Sequence, residues 1–371
     1  MLTKWFYPIK ETLEVSSIER SNPFGCTGSP DSLVSDRLEF RPTLFRFILF
    51  IFAGALLFYP GTWPHADELN EPFSITNQNP FIRIFGLPRH RSSEVLSAGE
   101  AESRIGYSVS SNYEFDISSS RDLIAIDGET ETWTLSYRQG LGNGWEAGVV
   151  LPLIKQSGGY LDRTIIKWHD WFGMPQGGRD LAVNDELNYS IITSGTDRLV
   201  LLNRKRGVGD VALFVGKELT SNLVLRSQLK LPTGAPEKLM GSGGTDFNVS
   251  VDYVRNLGNA WSWGGSASLA YLSGNELGLT NQDVVAALGS HIVYRVKPSL
   301  ALKVQWDFSS GPYRHPDLEP LTKTAGVLSF GGSLRITDQD RLDLVFIENI
   351  PNGEAAPDFG FKLELTRRTR P

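Results

Sequence analysis

The stretch Leu300-Ala301-Leu302-Lys303-Val304-Gln305-Trp306-Asp307-Phe308 decides the fold. Leu300, Leu302, Val304, Trp306 and Phe308 fall on one parity, and Ala301, Lys303, Gln305 and Asp307 on the other. Successive side chains of a β-strand point to opposite faces, so this alternation predicts a strand with one apolar and one polar face. The pattern recurs in 246–253, where Phe247, Val249, Val251 and Tyr253 oppose Asp246, Asn248, Ser250 and Asp252. It returns in 326–336, and in the last strand, where Phe359, Phe361, Leu363 and Leu365 oppose Gly360, Lys362, Glu364 and Thr366. Weaker runs lie near 102–113, 130–138, 145–152, 209–218, 222–231, 261–272, 283–296 and 341–348. The sum is about twelve strands, each near the roughly 9–11 residues that cross a bilayer when tilted.

The connections sort into two classes that alternate along the chain. Tight turns are expected at 139–144, 220–222, 256–259, 297–298 and 337–340, and long loops at 114–129, 153–208, 232–244, 273–282, 309–323 and 349–358. An even strand count then puts both chain ends on the short-turn side, the asymmetry of transmembrane β-barrels. Parity alone does not say which face points inward, because a lipocalin-like barrel would put the apolar face inside. Three features favour apolar outside: this loop asymmetry, an export signal, and the aromatic positions. Tyr137, Trp145, Tyr253, Trp261 and Tyr294 sit beside short turns, whereas Tyr113, Tyr271, Phe308, Phe346 and Phe359 sit toward long loops. Two such belts suit the two interfaces of a membrane.

Composition agrees with this class. The chain has 37 Gly, 9 Trp, 11 Tyr and 20 Phe, an excess that suits strands joined by tight turns. A net charge of -6 argues against nucleic acid as a partner. One cysteine excludes a disulfide framework and a cysteine-rich metal site. No pattern calls for a cofactor or a metal: Gly241-Ser242-Gly243-Gly244 lacks the lysine and helix of a phosphate-binding loop, and calcium-loop spacing is absent.

The export signal is set back from Met1. Residues 47–59, FILFIFAGALLFY, follow Arg37, Arg41 and Arg46, and a cleavage point is expected after Ala66. At about 13 residues this run is shorter than the roughly 20 that a spanning helix needs. Residues 37–66 therefore read as a signal peptide and 1–36 as an extension ahead of it. Residues 67–100 read as a periplasmic segment or plug, and 101–371 as the barrel. Asn77-Gln78-Asn79-Pro80 is expected either as a periplasmic turn or as a small plug entering the barrel base.

If the apolar parity faces lipid, the polar parity lines the lumen. The lumen candidates are Arg226, Lys230, Asp246, Asp252, His291, Lys303, Asp307, Arg335, Arg341, Asp343, Lys362 and Glu364. Both signs occur, so ion pairs are expected across the bore, and His291 is expected beside a carboxylate. The 153–208 loop is too long for a plain connection. Within it Leu161, Ile165, Trp168 and Phe172 share one face of a short helix, followed by a hairpin of 186–193 with 197–204. That helix could enter the lumen as a constriction, lie on the outer leaflet, or cap the rim. Trp168, His169, Phe172 and Arg179 are the gate candidates. Ser157, His169 and Asp170 nominally offer hydrolase groups, but helix neighbours do not face each other, and no catalytic role is assigned.

The segments Asn77-Gln78-Asn79-Pro80-Phe81 and Gly173-Met174-Pro175-Gln176-Gly177-Gly178-Arg179 carry a family resemblance. Across 70–371 the chain resembles an uncharacterised proteobacterial family, domain of unknown function 3187, for which no activity is implied. Gly207-Val208-Gly209-Asp210 with Leu229-Lys230-Leu231-Pro232-Thr233-Gly234 looks like hairpins of outer-membrane channels associated with aromatic-compound degradation. The chain departs from common barrels at Arg367-Arg368-Thr369-Arg370-Pro371, which replaces a terminal aromatic.

The expectation is thus an all-β, transmembrane up-and-down barrel of about twelve strands in a Gram-negative outer membrane. Its partners would be membrane lipid, the barrel insertion machinery and a small solute of unknown identity, passed through a mixed-charge lumen. Two alternatives remain: a structural or lipid-acting barrel without conductance, and a soluble periplasmic barrel holding an apolar ligand.

Overall fold

The computed structural model describes residues 68–173, 176–315, 317–349 and 355–369. The expected extension and signal peptide, residues 1–66, lie outside them.

Twelve antiparallel strands form a closed barrel: β1 (Ala101–Ile117), β2 (Leu123–Gly142), β3 (Trp145–Ser157), β7 (Ala212–Thr220), β8 (Leu223–Lys230), β9 (Asp246–Asn256), β10 (Trp261–Tyr271), β11 (Val284–Lys297), β12 (Leu300–Ser309), β13 (Ala325–Arg335), β14 (Asp340–Glu348) and β15 (Phe359–Thr369). Each pairs with the next, and β1 closes the ring by pairing with β15 from Ala101↔Thr369 to Ser111↔Phe359. Three shorter strands are additions to this wall. β4 (Asn188–Thr193) and β5 (Thr196–Leu201) form a hairpin on the far end of β2, and β6 (Lys205–Val208) pairs with the end of β3. The expected hairpin is therefore present. The β1–β2 connection is only 118–122, because both strands run well past the expected 114–129 loop.

The two faces differ as the parity requires. Along β10 and β11, Leu269 and Leu288 are 59% and 62% exposed on the outside, while Ala270 and Val285 are buried. Outward aromatics pack across strands: Tyr253 with Trp263, Trp261 with Tyr294, and the run Phe330–Phe346–Phe361. Arg226, Asp252, Lys303, Arg341 and Asp343 are all buried inside. A soluble barrel would not leave such an apolar belt in water while burying its charges. No helix among the described residues is long and apolar enough to cross a membrane.

The bore is filled. Residues 68–100 rise from the short-turn end to the long-loop end and return to enter β1. On the way up, Phe73 N donates to Gln305 Oε1 at 2.7 Å, and Lys362 Nζ reaches Ser74 O at 2.6 Å. The apex is the Asn77–Phe85 turn, where Asn77 Oδ1 accepts from Asn79 N and Asn79 Oδ1 accepts from Phe81 N. On the way down, Gly86 N donates to Asp246, Arg91 to Gln228, and Leu96 N to Glu146. The NQNP sequence thus belongs to the segment that enters the bore from its short-turn end. Its Asx turns reverse the chain at the opposite end, under the long loops.

There the loops make an apolar dome. Phe81 meets Tyr189 of β4, Phe85 meets Tyr313, and Tyr313 Oη donates to Phe81 O at 2.9 Å. Ile124, Ile191, Leu199 and Leu321 belong to the same buried cluster. Inward glycines make room for the segment: a Cβ on Gly289 would sit 2.7 Å from the His90 ring, and one on Gly140 2.0 Å from Ser97 O.

Candidate functional site: an occupied lumen

At the short-turn half of the lumen one carboxylate gathers four guanidiniums. Glu71 accepts from Arg104 at 2.8 Å, Arg138 and Arg341 at 2.9 Å, and Arg368 at 3.2 Å. Those arginines come from β1, β2, β14 and β15, which are consecutive around the closure, so parity alone aims all four at one point. Glu102 shares Arg104, Arg138 and Arg368, and Glu146 joins Arg138 to Arg226. Burial by itself would raise the Glu71 carboxyl, but Arg341, Arg104, Arg138 and Arg368 hold it well below the usual carboxylate range. Backbone groups of the segment are held too: Lys303 reaches Glu71 O at 2.6 Å, and Arg341 reaches Glu68 O.

The lumen candidates face inward, with different partners. Arg226 pairs with Asp252 at 3.0 Å, Lys230 with Asp246 at 3.2 Å and with Asp210 at 2.5 Å, and Lys362 with Glu364 at 2.6 Å. Arg341 and Lys303 both approach Asp343. His291 is not beside a carboxylate. Its ring bonds His90 at 3.2 Å and Asn70 O at 3.1 Å, and His90 is the one that lies 3.7 Å from Asp307. The reason is that segment 68–100 occupies the place that a wall carboxylate would need. Arg335 stands at the rim, where it donates to Pro298 O.

The gate candidates are elsewhere. Helix α1 (Asp162–Phe172) lies against the outside of the wall, not in the lumen, because its anchors Glu129 and Ser111 have outward parity. Arg179 bonds Ser111 Oγ at 2.9 Å and stacks over Tyr113, and both residues have outward parity on β1. It also pairs with Asp162 and with Asp358, the latter at 2.6 Å. Glu129, also outward, accepts from Tyr160 N and Leu161 N and anchors the helix start. Tyr113 is therefore covered by protein, not lipid. Trp168 and His169 are half-buried on the helix, and the Phe172 side chain lies outside the described residues. Part of the GMPQGGR motif now has a local reason: Gly173 caps the helix at φ 64°, and Gly177-Gly178, both at positive φ, turn the chain to deliver Arg179.

Sequence reasoning missed Glu71, Glu102, Arg104, Arg138, Glu146 and Arg368. For the wall residues the signal was parity within the weaker runs, where Glu102 and Arg104 alternate with Ser103 and Ile105. The GxGD…LPTG pair is likewise a clasp. Asp210 accepts from Gly234 N at 2.8 Å, Ser242 N at 3.2 Å and Lys230, while Thr233 Oγ1 donates to Gly209 O and accepts from Val211 N.

Against solved structures the chain is similar to an outer membrane channel from Pseudomonas putida F1, with 16% identity over 75% of this chain and 98% of that one, and a TM-score of 0.49. It is also similar to the NanC porin, at 11% identity, 73% and 99% coverage and a TM-score of 0.40. A third is the toluene transporter TbuX from Ralstonia pickettii, at 10% identity, 74% and 90% coverage and a TM-score of 0.35. No curated protein matches the sequence. The family model described as "Protein of unknown function (DUF3187)" matches residues 63–369, and the chain belongs to that family.

Proposed function

We propose that the protein is an outer-membrane barrel that works as a passive channel or binding pore for small solutes, with residues 68–100 as its plug. The observation that carries this reading is how the bore is filled. Twelve strands enclose more space than eight, whose own side chains fill the interior. Here the extra space is taken by one attached segment that crosses the bore twice. In the short-turn half it is held by hydrogen bonds and ion pairs rather than by interdigitated apolar side chains. Both partners of such contacts regain water if the segment withdraws, so they fix its register without making departure prohibitive.

Solute entry at the long-loop end requires the dome to part. The β4–β5 hairpin is the piece of the 153–208 loop that covers the mouth, since Tyr189, Ile191 and Leu199 pack into the dome. Helix α1, on the outer wall, would anchor the loop at the membrane surface. The mixed charges of the lumen then set selectivity. The apolar exterior and the expected export signal both support the outer membrane as the location.

Planar bilayers test the reading. Wild-type protein should open rarely, and Glu71→Gln, which keeps the side-chain shape, should raise open probability several-fold. If wild type, Glu71→Gln and a chain lacking 68–96 all fail to conduct after verified insertion, the channel reading is wrong.

A further inference from the structure

Between the plug and the inner wall of β1, β2, β3, β7, β8, β14 and β15 lies a cavity of about 80 Å³. A buried water needs roughly 10–15 Å³ on this measure, so the space suits about five waters or one compact ion. Its lining brings four cationic side chains, Arg83, Arg89, Lys230 and Lys362, against one carboxylate, Asp210. Two of the cations are already matched: Lys230 is bound by Asp210 and Asp246, and Lys362 by Glu364. Asp210 is itself engaged by two backbone N–H groups besides Lys230.

Arg83 and Arg89 are different. Among the described residues Arg83 has one hydrogen bond, from Nη2 to Thr132 Oγ1 at 2.8 Å, and its buried Nη1 has no partner there. Arg89 makes no hydrogen bond or ion pair among the described residues, and the acid it feels, Glu364, is committed to Lys362 and Arg104. Burial, and then the Arg89 charge, push the Arg83 guanidinium down to about 10. Holding two half-buried like charges side by side without counter-ions of their own is costly, and a fold that needed only packing would not keep both. Ser108, Thr132 and Thr134 add hydroxyl donors to the same walls. Guanidiniums match the planar and tetrahedral oxygen geometry of carboxylates and oxyanions.

We propose that this cavity is a binding site for a compact oxygen anion, an inorganic oxyanion or the carboxylate of a small solute, with Arg83 and Arg89 as its ligands. The inference rests on the pore reading only for its purpose, since binding itself does not require conduction. In a pore the site would select anionic solutes at mid-bore.

The test uses the full chain in detergent, titrated calorimetrically and by thermal shift with inorganic phosphate, acetate and benzoate, and with chloride as the control. Wild type should bind phosphate or a carboxylate at least tenfold more tightly than chloride. Preference for phosphate marks a free oxyanion; preference for benzoate over acetate marks an organic acid. Arg83→Gln and Arg89→Gln should each weaken that binding at least tenfold, whereas Arg163→Gln on the exposed helix face should not. Each lumen variant without anion should melt at or above the wild-type temperature, because an uncompensated half-buried charge is removed. Equal binding by wild type and by the chain carrying both Arg83→Gln and Arg89→Gln, no binding by wild type, or lower melting of both anion-free single variants would overturn the proposal. Anion binding without bilayer conductance would overturn the pore reading and leave the site standing.

Discussion

Arg138 of β2 donates to Glu71 at 2.9 Å from inside the wall, joining the plug to the barrel across 67 residues of sequence. The same guanidinium reaches Glu102 and Glu146, so the latch is part of a continuous network around one half of the bore.

Removing the latch should separate plug docking from barrel integrity. Glu71→Ala leaves Arg104, Arg138, Arg341 and Arg368 facing one another with one acceptor fewer. Breaking one side of a buried charge cluster costs about 3–5 kcal/mol. The expected outcome is higher conductance and faster proteolysis within 68–100, with heat-modifiable gel migration of the barrel retained. Loss of the folded gel band would mean that the segment is needed to close the barrel.

The latch also predicts a pH profile whose sign follows from the carboxyl shifts. Glu71 is held well below its ordinary range, so its contribution is complete above about pH 4.3, the unfolded value, and is lost as pH falls through the folded value. Glu68 is raised, by burial first and against the pull of Arg368, so its contribution has the opposite sign and weakens docking as pH rises. Conductance measured from pH 8 to pH 3 should therefore show an acid limb that Glu71→Gln removes. Glu68→Gln should flatten the decline of docking at higher pH and leave the acid limb intact.

The outward face makes a prediction about lipid. Leu288 projects from the middle of β11 and is 62% exposed. An arginine on the lipid face near the bilayer midplane costs about 2–4 kcal/mol. Leu288→Arg should lower the urea midpoint for folding into liposomes, and Leu288→Ala should lower it much less. An unchanged midpoint for Leu288→Arg would place this surface outside the membrane.

Strand number, loop alternation and the inward residues were legible because parity is a local signal: Lys303 and Trp306 declare opposite faces within four residues. The hairpin and the helix were legible for the same reason. The filling of the lumen was not. Glu71 lies in a segment without period, and its partners Arg104, Arg138, Arg341 and Arg368 meet it only once the ring closes. His291 was misassigned to a carboxylate because parity says which way a side chain points, not what stands opposite. The side of the wall on which α1 lies was equally invisible. It is set by Glu129 and Ser111, two polar residues on the outward parity that look like interruptions until the helix covers them.

That outer clasp supports the last prediction. Arg179 is buried between Asp162 and Asp358, and its removal leaves two carboxylates against the wall. Burial already raises Asp358, with Arg179 pulling it back down, so Arg179→Ala should raise it further. A raised carboxyl is tolerated when protonated and penalised as pH rises. Arg179→Ala should therefore open the 158–185 segment by about 3 kcal/mol, roughly a hundredfold loss of protection from limited proteolysis. The loss should be largest near pH 8 and partly recovered toward pH 5. Arg179→Lys should fall between, because one ammonium cannot span both carboxylates and Ser111 in the guanidinium's planar geometry. Cleavage confined to this segment, with barrel migration and conductance unchanged, would separate the outer clasp from the plug; altered conductance would mean that the outer helix also controls the bore.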